Sequence, residues 1–335
     1  MLGRWLVAAL LTTACGGAQV TAVATPRPHS PGPLGDTWFG HVAAWRQPVG
    51  PHPTPRYGAA LAYDGAHNKF VLFGGQSGSV SYDETWTFDS RTWKRESAPH
   101  KPPARREAAM AYDPTLRLVV LYGGLVANGA EGSEAGDTWT WDGTDWTEVS
   151  ADNQGPRFRF GASMVTAGDR VIMFGGHVFN TSYFGDAWTL EGSKWKQIDR
   201  GPGPAGRGDA AVAWNARDSS LLVYGGLGIR TGAGPGNLGI PLQDAWSLRD
   251  GAWARLEVAG PPAQYAANAV WDPATHSVVV LFGMVCPNPV RDAWAWNGSA
   301  WSRSTVQVPA RWGAAVAADP SGNVLLFGGD DETGC

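Results

Sequence analysis

Residues 118–146 read LVVLYGGLVANGAEGSEAGDTWTWDGTDW, and variants of this stretch recur along the whole chain. An apolar run ends on an aromatic and two glycines. After a loop of variable length comes Asp-Thr-Trp, and seven residues past Trp139 stands Trp146. Trp pairs at that spacing occur at 38/45, 86/93, 139/146, 188/195, 246/253 and 294/301, which takes twelve of the 18 tryptophans into one pattern. An Asp precedes each first Trp, at Asp36, Asp83, Asp137, Asp186, Asp244 and Asp292, one residue further back in the DETW of the second copy. The apolar runs are FVLFGG to Gly75, VVLYGG to Gly124, VIMFGG to Gly176, LLVYGG to Gly226, VVLFGM to Met284 and VLLFGG to Gly329. Six copies at a period of about fifty residues mark a repeat architecture.

Each copy opens on a small-residue segment led by a polar residue, as in RYGAALAYD from Arg56 or RWGAAVAAD from Arg311. Gly and Ala let backbones crowd near an axis, and the aliphatic run that follows suits a strand buried on both faces. The paired tryptophans fall on a third and a fourth strand, joined by turns such as DGTD, EGSK or NGSA. Four antiparallel strands of decreasing crowding make one blade of a propeller. The C-terminal stretch 310–329 supplies a first and second strand with no Trp pair after them, while Trp38 and Trp45 have no Gly-Gly strand before them. Together they complete one composite blade. The expected fold is all-β, a six-bladed ring closed by its own termini, so that no blade keeps an unpaired edge.

Composition agrees: 45 Gly, 24 Pro and 17% charged residues fit many short strands and tight turns. The formal charge of -4 is spread along the chain without a basic run, which removes the case for a nucleic-acid partner. Residues 1–15, MLGRWLVAALLTTAC, carry one Arg, a short apolar stretch and small residues before a cysteine, and are expected to be an export signal. The apolar run is far shorter than the roughly 20 residues a spanning helix needs. The segment resembles a bacterial lipoprotein signal whose lipidated residue would be Cys15, although the usual leucine stands one place early, at Leu11. An ordinary cleaved signal with an incidental Cys15 is the alternative. Residues 16–33, rich in Gly, Ala, Thr and Pro, are expected to be a flexible tether, and 34–335 the propeller.

The Gly-Gly, aromatic and Trp signature in every unit resembles kelch-repeat propellers, the superfamily of the galactose oxidase central domain. That family includes enzymes, among them galactose oxidase and the sialate mutarotases, and many protein-binding modules, so the resemblance carries fold far better than function. In kelch propellers that bind acidic peptides, arginines at the start of the first strand contribute to the pocket. Here that position holds Arg56, Arg105, Arg159, Arg207, Gln264 and Arg311. The resemblance implies a ring of guanidinium groups around one channel mouth, able to take carboxylates or anionic sugars by bidentate bonds. The alternative is that each Arg pairs with a nearby Asp within its own blade.

Blade-to-blade loops and the loops after the second strand are expected on one face, the latter spanning 76–82, 125–136, 177–185 and 227–243. The seven histidines show no metal-ligand spacing, the copper ligands of galactose oxidase have no counterparts, and no cofactor is expected. Acid–base candidates for a sugar-acting enzyme are Glu131, Glu134, Asp186 and His177. Cys286 and Cys335 follow the second strands of neighbouring blades and are candidates for a disulfide, the alternative being two free thiols. The expected function is non-catalytic binding of a protein or glycan by a monomer, exported and lipid-anchored at a bacterial cell envelope. A carbohydrate-active enzyme of sialate mutarotase type is the second reading.

Overall fold

The computed structural model describes residues 31–127, 132–149, 155–179, 182–228 and 239–333, and among them there is no helix. The second blade shows the local logic. Ala109–Asp113 pairs antiparallel with Leu118–Tyr122, which pairs with Thr138–Trp141, which pairs with Trp146–Val149. The turn between the first two strands is held by Asp113, whose carboxylate accepts the backbone N–H groups of Thr115 and Leu116 at 2.9 Å each. Val119, Val120 and Leu121 are fully buried, as a run apolar at every position requires, while the outer strand buries Trp146 and exposes Thr147 and Glu148.

The same four-strand order recurs in five further sheets. The first begins at Ala60–Asp64, the third at Ser163–Ala167, the fourth at Ala211–Asn215 and the fifth at Asn268–Asp272. The sixth is composite: Ala315–Ala318 and Val324–Phe327 come from the C-terminal end, Thr37–His41 and Ala44–Arg46 from the N-terminal end. Thr37 faces Phe327 and Gly40 faces Val324, the pairing that joins the two ends. The end of the expected tether is already part of the domain: the N–H of Gly32 donates to Asp331 at 2.9 Å, and Pro33 bridges to Asp330.

Hydrophobic clusters lie between blades. Ala60, Val71 and Phe73 of the first blade pack with Val119, Leu121 and Trp146 of the second, and Phe39 and Phe327 of the composite blade pack with Phe70 and Leu72 of the first. At roughly 1.5–3 kcal/mol per buried Val, Leu or Phe, these seams carry the stability. Trp indoles on outer strands pin them: Trp93 Nε1 donates to Thr37 Oγ1 (2.9 Å), Trp146 to Thr85 (2.8 Å) and Trp195 to Thr138 (2.9 Å), each one blade back.

Closure is complete at the axis. The N–H of Gly58 donates to the carbonyl of Gly313 (2.9 Å), Gly313 to Ala266 (3.3 Å), Ala266 to Asp209 (3.0 Å), Asp209 to Gly161 (2.8 Å), Gly161 to Glu107 (3.0 Å), and Glu107 back to Gly58 (2.7 Å). All six residues have φ between 51° and 64°. One residue from each blade thus enters an unbroken ring of main-chain hydrogen bonds, in a left-handed conformation that is easy for glycine and uncommon for Glu, Asp and Ala.

Candidate functional site

The repeat arginines do not line a mouth. Arg56, Arg105, Arg159, Arg207 and Arg311 are each 1% exposed or less, and Gln264 is buried beside them in sequence position. Arg105 is typical: Nη1 and Nη2 donate to Asp137 at 2.6 and 2.7 Å, Nη1 also donates to the carbonyl of Gly123 at 2.9 Å, and Nε donates to the carbonyl of Pro103. Arg159 engages Asp186, Arg207 engages Asp244 and Arg311 engages Asp36 in the same bidentate way. Burial pulls the carboxyls of Asp36, Asp137 and Asp244 up, but the arginine partner outweighs it and holds all three below the usual carboxylate range. Trp38, Trp139, Trp188 and Trp246 donate their indole N–H to the same aspartates. The expected anion-binding ring is therefore a set of internal clamps, and Asp186, an acid–base candidate, is one half of such a clamp.

The clamp explains the glycine pair. A Cβ on Gly74 would lie 2.4 Å from the carbonyl oxygen of Arg105, and one on Gly75 would lie 2.9 Å from Arg56 Cδ. Two blades depart from the pattern. In the first, Glu84 rather than Asp83 meets Arg56, and Asp83 pairs with Lys101. In the fifth, the apolar run is shifted by one: Phe282, φ 59°, occupies the first glycine's place and Gly283 the second's, as their bonds to the carbonyls of Asp292 and Arg311 show. That blade has Gln264 instead of Arg, and its Asp292 pairs with Arg303.

What converges at the axis is different. The residue after each clamp position, namely Tyr57, Arg106, Phe160, Gly208, Tyr265 or Trp312, pairs with the loop that follows the second strand of its blade. Blade connectors and those loops therefore share one face, as the sequence led us to expect. On that face Glu107 sits on the axial ring, its Cγ close over Gly58, and forms an ion pair with Arg106; both side chains are about 20% exposed. Asp209 leans over Gly161, where a Cβ would lie 2.7 Å from its Oδ1. The His177 imidazole lies against the same glycine and against Gly208, stacks on Tyr183 (centroids 5.1 Å, 20°) and touches Phe160 (3.9 Å). Tyr57 and Trp312 pack at 5.5 Å.

Burial dominates the electrostatics of this cluster. It pushes Asp209 up to about 7 against the opposing charge of Arg106. It also raises Glu107, opposed by Arg106 and reinforced by the Asp209 charge. Burial holds His177 below its ordinary value, with Glu107 and Glu134 pulling the other way. The hydroxyls of Tyr57, Tyr183 and Tyr265 are pushed above the usual range. Two protonatable carboxyls and a neutral imidazole within one aromatic-walled mouth can bind a cation, share a proton or hydrogen-bond a polar ligand.

Against this frame the match is specific: the model of the KLHDC2/KLHL20/DRC7 Kelch-repeats domain matches residues 90–283. The chain belongs to the kelch-repeat family. Kelch domains generally mediate protein binding. In this kelch propeller His177 is the one residue of the expected ligand set that reaches the mouth; Glu134 accepts the N–H of Phe179 at 3.0 Å on its rim. Glu131, Cys15, Cys335 and part of the 227–243 loop lie outside the described residues. Cys286 is disulfide-bonded. Glu107, Asp209, Arg106 and Tyr265 were not singled out by sequence. Aligning the six kelch units in columns would have found two of them, as acids in a column otherwise held by Gly58, Gly161, Ala266 and Gly313.

Proposed function

We propose that this kelch propeller is a recognition module whose axial mouth binds a protein partner, exported and tethered to a bacterial membrane through Cys15, with Cys286 and Cys335 bridging neighbouring blades on the mouth face. The observation that carries the binding reading is the gathering of Tyr57, Trp312, Glu107, Asp209 and His177 at one end of a rigid axis, on the face that holds the variable loops. A photo-crosslinking amino acid at position 57 or 312 is expected to trap one and the same protein, and position 94, on an exposed outer strand, is expected to trap none. Equal trapping from position 94, or none from the mouth, refutes the reading. Export and tethering rest on the sequence of residues 1–15 and are tested by labelling cells with an alkyne fatty acid, which a C15S variant should fail to incorporate.

The convergence of two raised carboxyls beside His177 favours a second reading, a sugar-acting enzyme at the same mouth. Faster exchange between anomers of free sialic acid, seen by proton NMR with the wild type and absent with E107Q and D209N, is the result that would establish it.

A further inference from the structure

The charge of the mouth decides what it binds, given that the mouth is the recognition face proposed above. With the five repeat arginines turned inward, acids outnumber bases among the described residues around the axis. Glu107 and Asp209 stand on the ring, Asp330 acts on the Tyr57 hydroxyl, and Trp312 donates its indole N–H to the carbonyl of Glu332. Arg106 is the cation placed among them, and it is already engaged by Glu107. Among the described residues the Asp209 carboxylate has no hydrogen-bond donor and no ion-pair partner, so a ligand reaching it displaces none of them. Tyr183 and Tyr265 stand close enough for the Asp209 charge to act on their hydroxyls, and Tyr57 stands beside Glu107.

We propose that the axial mouth takes a protonated amine or a guanidinium, presented by a lysine or arginine side chain of a protein partner, against the carboxylates of Glu107 and Asp209 and between the flanking aromatic rings. A cation there adds to the single Arg106 guanidinium that now serves both carboxylates, and ring faces add attraction for a partly desolvated cation. An acidic peptide meets like charges at the same place and is rejected.

The test selects peptides from a displayed random dodecapeptide library on the immobilised full chain. Recovered peptides are remade with lysine replaced by norleucine and arginine by citrulline, and their affinities are measured for the wild type, E107Q, D209N, Y57A and W312A, each checked for its fold by circular dichroism. The expected result is recovery of lysine- or arginine-bearing peptides that lose at least tenfold in affinity on neutral replacement and at least tenfold in E107Q and D209N. Acidic or neutral winners, or affinities unchanged in both carboxylate variants, overturn the cation proposal; if Y57A and W312A still abolish binding, the mouth remains the recognition face. Peptides that bind all four variants like the wild type, or a selection that recovers no peptide, overturn both.

Discussion

Trp301 Nε1 is buried without a hydrogen-bond acceptor among the described residues, and the residue one blade back where an acceptor belongs is Ala245. The corresponding pairs in other blades are Trp93 with Thr37, Trp146 with Thr85 and Trp195 with Thr138. Where the repeat reads Asp-Ala-Trp the next blade's indole has no threonine to meet: Trp253 turns to Asp199 (3.4 Å) and Trp45 to the carbonyl of Val42 (2.8 Å), whereas Trp301 finds no substitute. Ala245→Thr is expected to raise unfolding free energy by about 1 kcal/mol, and Thr85→Ala to lower it by a similar amount or more, since it strands the Trp146 indole. Denaturant unfolding of both variants measures the two effects.

The buried clamps predict a large and purely structural penalty. Arg159→Met leaves the Asp186 carboxylate without its guanidinium and should cost on the order of 3–5 kcal/mol, read as a fall in the denaturation midpoint. Gln264→Arg should give no gain, because Asp292 is already taken by Arg303 and Phe282 holds the first glycine's place.

Asp209 makes stability depend on pH in the sense opposite to an ordinary surface carboxylate. Burial raises its pKa in the folded state to about 7 from the ordinary 3.8, so its contribution is intact below about pH 4 and is lost as pH rises through about 7. Arg106, Glu107, His177, Tyr183 and Tyr265 surround it; the two tyrosines stay neutral throughout this range. At about 1.4 kcal/mol per tenfold in proton affinity, the wild type should lose on the order of 2–3 kcal/mol relative to Asp209→Asn between pH 5 and pH 8. Paired urea titrations at the two pH values check this.

The composite blade makes the termini interdependent. Removing residues 1–46 takes away Thr37–His41 and exposes the edge of Val324–Phe327. Cooperative unfolding should be lost and the chain should self-associate in light scattering, and a synthetic peptide of residues 31–48 added in trans should restore the cooperativity and suppress the association.

The fold was legible because the features that report it are periodic: Trp at a spacing of seven, glycine pairs and an unmatched half-unit at each end. Side-chain direction was not. An Arg at the head of each first strand looks the same whether it faces a channel or folds inward onto Asp137 and the carbonyl of Gly123, and only three-dimensional proximity distinguishes them. The shift in the fifth blade was hidden because Phe282-Gly283 mimics the aromatic-Gly step one place late. Glu107 and Asp209 escaped notice because their role comes from a left-handed backbone position, which no residue type announces when it is Glu or Asp.

The main-chain circuit at the axis uses every donor and acceptor it passes, so its frame places no demand on what hangs from it beyond tolerance of a positive φ. The six positions behave as an interchangeable socket set, with three fitted by Glu107, Asp209 and Ala266 and three left blank by glycine. At Gly58 and Gly161 the blanks are crowded by Glu107 and Asp209, but at Gly313 a Cβ would meet nothing nearer than 3.7 Å. A lineage or a designer wishing to give this mouth a new preference would start by putting Asn or Asp at Gly313, leaving the six seams between blades untouched.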